Sequence, residues 1–405
     1  MDKIGVYPHQ FPFSAHYFCN LMDEIMSKVR SFLAEQLKIR SEVGLLRHLQ
    51  TVDHLIDFCS NDYLGLARNT ELKQLISKDF ELWFEKNQGQ IPFNGATGSR
   101  LISGHNSLTE TFESACAQMH QAEAALLFGS GFEANLGLLS SITQEDDIIF
   151  CDQLLHASII DGIRLGKAKK VIFQHNDWEK LALELAKYPK QRKWVVVESI
   201  YSMDGDKAPF DELVRLQQTF DFELIVDEAH AGGLYGQHGA GFVQELGLSS
   251  KVFARVITFG KAWGNSGAVV LGSQILKEYL VNFARSFIYS TAPSPMHVSS
   301  LLSTLKFIQE QDELREKLQQ KIAFFQKHAR HSNWKKSQST IQTFIVPGNT
   351  EVRRLAIFAQ KNGFGVKPIV SPTVPNGEER IRITLSALSE EKDILRIIQL
   401  LESNL

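Results

Sequence analysis

Between residues 55 and 290 the chain alternates short apolar, β-branched runs with longer helical stretches, a pattern that few folds accept. The runs are Ala124–Phe128, Asp147–Phe150, Lys170–Phe173, Trp194–Glu198, Leu224–Asp227, Val256–Phe259 and Ala268–Leu271. Such runs suit strands buried on both faces. Strands that alternate with helices imply a mostly parallel sheet covered by helices on both sides, an α/β fold. Ligands of sheets like this bind outside the carboxyl ends of the strands.

The flanking regions read differently. Over residues 15–37, Phe18, Leu21, Met22, Ile25, Met26, Val29, Phe32 and Leu33 recur at helical spacing, so an amphipathic helix with one buried face is expected. After Pro295 a helical stretch runs from His297 to about Arg330, with a break near Gln311 and Asp312. Beyond it, strands are expected at Gln342–Val346, Gly365–Val370 and Arg380–Leu385, with helices at Glu351–Asn362 and after Ser389. The Ser389 hydroxyl is a candidate N-cap. These features divide the chain into an N-terminal helical segment (1–55), a large domain (56–295), and a linker helix with a smaller α+β C-terminal domain (296–405).

Bulk properties narrow the function. A net charge of −3 over 405 residues gives no electrostatic case for nucleic acid or an acidic membrane surface. No apolar run approaches the ~20 residues of a membrane span. The stretch Met1 to Phe13 contains Pro8 and Pro12 and lacks a secretory pattern. Cys19, Cys59, Cys116 and Cys151 are scattered, which fits a reducing cytosol better than a disulfide framework or a zinc site. The histidines form no HExxH or comparable pair, so no metal is expected.

Two of the apolar runs end in ionisable groups. Leu224-Ile225-Val226-Asp227 is followed by Glu228, Ala229 and His230; Val256-Ile257-Thr258-Phe259 is followed by Gly260 and Lys261. A lysine among small residues in an apolar turn is a poor salt-bridge partner but a good Schiff-base nucleophile, because desolvation lowers its pKa and frees the amine. Its bland alternative is a solvated surface charge. Asp227 reads either as a cap or ion-pair residue, or as the partner of a protonated ring nitrogen. His230 and His156 read equally as hydrogen-bonded structural histidines. Phe128-Gly129-Ser130-Gly131-Phe132 joins a strand to a helical stretch and is either a tight turn or an anion cradle. It matches neither the Walker pattern nor G-x-G-x-x-G. Thr258 could donate to a phosphate or simply suit a strand. Arg382 alternates with apolar residues and could clamp a carboxylate or sit as an exposed edge charge.

Further segments give these signals a common context: Ser60-Asn61-Asp62-Tyr63-Leu64-Gly65-Leu66, the glycine-rich stretch 95–104, Ser202-Met203-Asp204-Gly205-Asp206, Tyr289-Ser290-Thr291 and Pro372-Thr373-Val374-Pro375. In this combination and order the chain resembles the α-oxoamine synthases from about Phe58 to Leu401. These are pyridoxal-phosphate enzymes of the type I aminotransferase fold, with a mostly parallel seven-stranded sheet in the large domain.

The resemblance implies roles at matching positions. Lys261 would hold the cofactor covalently and later move the substrate's proton. Asp227 would pair with the cofactor's ring nitrogen, and His156 would stack on the ring. His230 and Ser202 match groups near its phenolic oxygen. Ser130, Gly131 and Phe132 would help seat it, and Thr258 would bind its phosphate. Thr291 matches a phosphate ligand offered by a second subunit, which implies a homodimer with interfacial sites. Asn61, Thr373 and Arg382 match substrate-side positions, with Arg382 facing the amino-acid carboxylate.

The implied reaction joins an amino acid to an acyl-CoA, with loss of CoA and carbon dioxide, and yields an α-amino ketone. The stretch 95–104 and the segments around Pro372 and Arg382 are most similar to members that join alanine to a pimeloyl thioester in biotin synthesis. Members using glycine and acetyl-CoA usually differ around Thr97–Arg100 and form the alternative. A nicotinamide dehydrogenase is disfavoured, since no dinucleotide fingerprint is present and Lys261 would have no role. The chain departs from the family at Val370-Ser371, where an arginine is common, and up to about Asp57. Arg30, Arg40 and Arg47 are candidates for a distal acyl carboxylate. Trp263 and Asn265 are unusual too, and Trp263 is expected to narrow the pocket.

Overall fold

The computed structural model describes residues 15–87 and 92–405, with the side chains of 15–25 excluded. The stretch Met1–Phe13 and the side chains of Phe18, Leu21, Met22 and Ile25 therefore lie outside the described residues. Strand β1 (Ile56–Asp57) is short and stands apart from the main sheet. The main sheet has seven strands: β2 (Ala124–Phe128), β3 (Ile148–Asp152), β4 (Lys169–Phe173), β5 (Lys193–Glu198), β6 (Glu223–Asp227), β7 (Ala254–Thr258) and β8 (Ala268–Gly272). Their order is β2-β8-β7-β6-β5-β3-β4, and only β8 runs against the rest. The sequence-based strands agree with these to within two residues at each end.

The physical basis is burial on both faces. Val195, Val197, Leu224, Val226, Val256 and Ile257 are almost wholly removed from solvent. Each such side chain contributes about 1.5–3 kcal/mol of transfer free energy. Helices Gly131–Ile142 and Ala157–Leu165 pack on each other beside the sheet.

A second sheet follows the helices Pro295–Gln309 and Asp312–His328, whose break falls at the expected place. It comprises β9 (Trp334–Lys335), β10 (Ile341–Ile345), β12 (Lys367–Ile369) and β13 (Arg380–Thr384), antiparallel in the order β12-β13-β10-β9. Strand β11 (Phe364–Gly365) pairs instead with β1. This ladder carries the chain from β1 into the segment that holds Asn61.

Two expectations need correction. The helix Ala15–Glu42 forms, but Met26, Val29, Phe32, Leu33 and Leu37 are all more than 40% exposed. Among the described residues no element of the same chain covers these side chains, and the rest of the expected stripe lies outside the described residues. Ser389 does not cap the last helix. Glu390 occupies that position without a side-chain bond, while the Ser389 hydroxyl accepts from the Ser386 N–H. Among the described residues, no helix is long and apolar enough to cross a membrane.

Candidate active site

Strands β3, β5, β6 and β7 are parallel neighbours, so their carboxyl ends open on one side of the sheet. A cavity of about 310 Å³ lies there. Its lining brings together Asn61, Ser130, Gly131, Phe132, His156, Asp227, His230, Thr258 and Lys261, all assigned from sequence. Gly129 and Ser130 follow β2; Lys261 lies in the turn between β7 and β8.

The Lys261 amine ends a chain of polar contacts that crosses between the two sheets. Its Nζ is 2.9 Å from His230 Nε2, and His230 Nδ1 is 2.6 Å from the Tyr63 hydroxyl. The Tyr63 hydroxyl is also 3.1 Å from Asn61 Oδ1, which accepts from Arg382 Nη2 at 2.9 Å. Tyr63 has one proton: given to Asn61 Oδ1, it leaves the hydroxyl accepting from His230 Nδ1–H and Nε2 facing Lys261 as acceptor; given to His230 Nδ1, it leaves Nε2–H facing Lys261 as donor. Burial, aided by Lys261 and Arg382, holds the His230 pKa well below the usual histidine range. Burial also pushes the Lys261 amine down to about 8, against the opposing pull of Asp227 and Glu198. A lysine with this pKa is about a tenth neutral at pH 7, hundreds of times more than an ordinary lysine, which favours a nucleophile or proton carrier.

Asp227 ends β6, is buried, and is fixed by two donors. Oδ1 accepts from the Ala229 N–H and Oδ2 from the Asn135 amide, each at 2.8 Å. The same Asn135 nitrogen donates to Ser158 Oγ at 3.0 Å, and Ser158 Oγ lies 2.8 Å from His156 Nδ1. Asn135 thus orients both the carboxylate and, through Ser158, the imidazole at the rim. Sequence reasoning missed Asn135; it sits one turn into the helix that follows Gly131. It also missed Glu198, which is in direct register with Asp227 on the next strand. Burial, with the nearby Asp227, raises the Glu198 pKa to about 8. Its carboxyl accepts from the His156 N–H at 2.5 Å. The signal that found Asp227, an ionisable group ending an apolar run, was present at Glu198 as well.

The opposite end of the cavity suits an anion. Ser130 caps the helix Gly131–Ile142 by accepting from the Glu133 N–H. The N–H groups of the first turn have no intrahelical acceptor and present positive potential. Gly131 is needed for close approach: a Cβ there would stand 2.6 Å from Thr258 Cγ2. Among the described residues, Thr258 Oγ1 and Arg382 Nε are buried with no hydrogen-bond partner. Orphaned buried donors are costly unless a ligand satisfies them. These vacant donors, the fixed Asp227 carboxylate and the low-pKa lysine together fit pyridoxal phosphate and an amino-acid carboxylate.

Other assigned residues lie outside the lining. Arg382 reaches it through Asn61. Ser202 is buried in the turn after β5. Thr291 and Thr373 are exposed and are not among the residues that line this cavity. Trp263 requires a correction. It is fully buried beneath the lysine turn, packed against the rings of Phe259 and His120, and does not narrow the pocket. Asn265 donates to Ser300 and anchors that turn to the helix Pro295–Gln309.

Comparison with known proteins is consistent with this geometry. Residues 53–401 match the model of the family described as aminotransferase class I and II. The chain is 37% identical over 368 residues to 8-amino-7-oxononanoate synthase of Ralstonia pickettii, covering 86% of each chain. Among solved structures it is similar to 8-amino-7-oxononanoate synthase from Francisella tularensis, with 30% identity and a TM-score of 0.73 over 87% of this chain and 98% of that one. It is also similar to serine palmitoyltransferase of Sphingomonas wittichii, with 26% identity and a TM-score of 0.82 over 94% of this chain and 97% of that one.

Proposed function

Because the chain belongs to the class I and II aminotransferase family, and within it to the pyridoxal-phosphate α-oxoamine synthases, we propose that it condenses L-alanine with a pimeloyl thioester, as 8-amino-7-oxononanoate synthases do in biotin synthesis. The observation that supports this most is the contact chain from Lys261 through His230, Tyr63 and Asn61 to Arg382. It joins a proton-moving amine to a carboxylate-binding guanidinium.

Bound pyridoxal phosphate supplies a carbonyl that holds the amino acid and a ring that takes up the electrons of its broken C–H bond. The chain's own residues do the rest. Thr258 Oγ1 and the first-turn N–H groups after Ser130 would hold the phosphate, with Thr291 offered to the site of a second subunit. Asp227 would keep a proton at the ring nitrogen, His156 would stack on the ring, and His230 and Ser202 would lie near the phenolic oxygen. Arg382, with Nε free, pairs with the amino-acid carboxylate. Lys261 takes the α-proton, and His230 Nε2 keeps the amine aimed. The reaction these residues would serve joins the amino acid's α-carbon to the thioester carbonyl, releases CoA as its thiolate and then carbon dioxide, and returns a proton to the α-carbon.

The test is a matrix of amino acids against acyl thioesters, read by release of the CoA thiol. Alanine with pimeloyl-CoA should turn over fastest. A preference for glycine with acetyl-CoA would move the reading to a 2-amino-3-ketobutyrate CoA ligase.

A further inference from the structure

Outside the cavity, one side chain joins two functional turns. Asp152 ends β3 and begins the turn that delivers His156; Ser202 to Asp206 form the turn that delivers Ser202. His175, just after β4, lies between them. Its Nδ1 is 2.9 Å from Asp152 Oδ1 and its Nε2 is 2.7 Å from Asp206 Oδ2. A carboxylate only accepts, so both ring nitrogens must donate and the ring is an imidazolium. The arrangement is reinforced on every side. Asp152 also accepts from the Leu154 and Asn176 N–H groups. The Asn176 amide donates to Asp206 at 2.7 Å, with its backbone in the left-handed region at φ 54°. The buried Tyr201 ring meets His175 edge-on, with centroids 4.4 Å apart.

We propose that His175 is a positioning residue, bridging Asp152 and Asp206 so that the turns carrying His156 and Ser202 are held as one unit beside the cofactor. Inside the cavity, Glu198 holds the first of these turns by accepting from the His156 N–H. His175 is the outer tie and touches neither substrate nor cofactor. The two aspartates raise its pKa to about 9 against the cost of burial, so the bridge stays charged across the neutral range. The charged groups facing it are Asp152 and Asp206, with the Tyr201 phenol held neutral by burial; the Lys207 ammonium next in sequence lies instead over the Tyr235 and Phe242 rings. Asp204, in the same turn, is paired with Arg380 of β13 and with Lys335 of β9. A loosened turn would therefore also release a contact to the second sheet. The bridge itself is independent of the proposed function; only its consequence at the cofactor rests on that reading.

The experiment uses full-length protein loaded with pyridoxal phosphate. Nitrogen-15 histidine spectra of the unaltered protein, with and without cofactor, should show one imidazolium carrying two ring protons up to about pH 9. A His175 ring that titrates near 6.5 would overturn the proposal. His175→Phe should still be captured at Lys261 by borohydride. Its visible circular dichroism band should fall by at least about half, and kcat about tenfold or more, with KM for the amino acid less affected. An unchanged visible band and kcat in a folded His175→Phe protein would also overturn it. If that variant does not fold, Asp206→Asn removes one end of the bridge and should show the same changes in weaker form; no change there is equally fatal. Failure of borohydride capture in the unaltered protein would instead sink the functional reading, while the nitrogen spectra would still report on the bridge.

Discussion

The chemistry of Lys261 follows from where its neighbours put it. Burial lowers its pKa to about 8, and an amine must be neutral to attack an aldehyde. In cofactor-free protein, the rate of reaction with added pyridoxal phosphate should therefore rise with pH and reach half its maximum near 8. A midpoint near the ordinary lysine value of 10.5 would show that the amine is not desolvated. Asp227 is held by Ala229 and Asn135 so that its carboxylate cannot turn away. Asp227→Ala should still bind cofactor, yet lose about a hundredfold or more in kcat, measured by thiol release. Both residues were legible in the sequence, because each is an ionisable group just after an apolar run. Asn135 and Tyr63 were not. Their partners lie 92 and 167 residues away, and neither residue type carries a local signal. The role of Trp263 was misread for a related reason. Position next to the lysine says nothing about which side of the turn a ring faces, and here it faces the core.

At the scale of elements, the legible parts were those with strong periodicity. The seven strands and the break between the two long helices were found because burial on both faces writes continuous apolar runs. The ladder of Ile56–Asp57 with Phe364–Gly365 could not be read, since two residues carry no period. The helices Thr70–Lys86 and Ser107–Met119 were not delimited, although Asn69 and Asn106 precede them and accept from the Leu72 and Thr109 N–H groups. Asn106→Ala should lower stability by about 1 kcal/mol, seen as a lower urea midpoint with kcat unchanged. No loss would mean that this cap is not a determinant of the helix Ser107–Met119. The N-terminal helix marks the opposite case, where periodicity announced a buried face that one chain does not supply.

In the whole molecule, the site is assembled from two sheets. The larger one supplies the lysine, the carboxylates and the phosphate end; Arg382 comes from the smaller one and Asn61 from the segment after β1. The fold and the electron-handling half of the site were readable because they repeat a local rule at successive strand ends. The choice of acyl chain was not, because it depends on surfaces far apart in sequence that no single motif marks. The central claim is that Lys261 carries the cofactor in this assembled site. Reduction of the yellow loaded protein with borohydride, followed by peptide mapping, tests it most directly. The account predicts one pyridoxyl group per chain, on the peptide containing Lys261. A label on any other lysine, or no label at all, would contradict it.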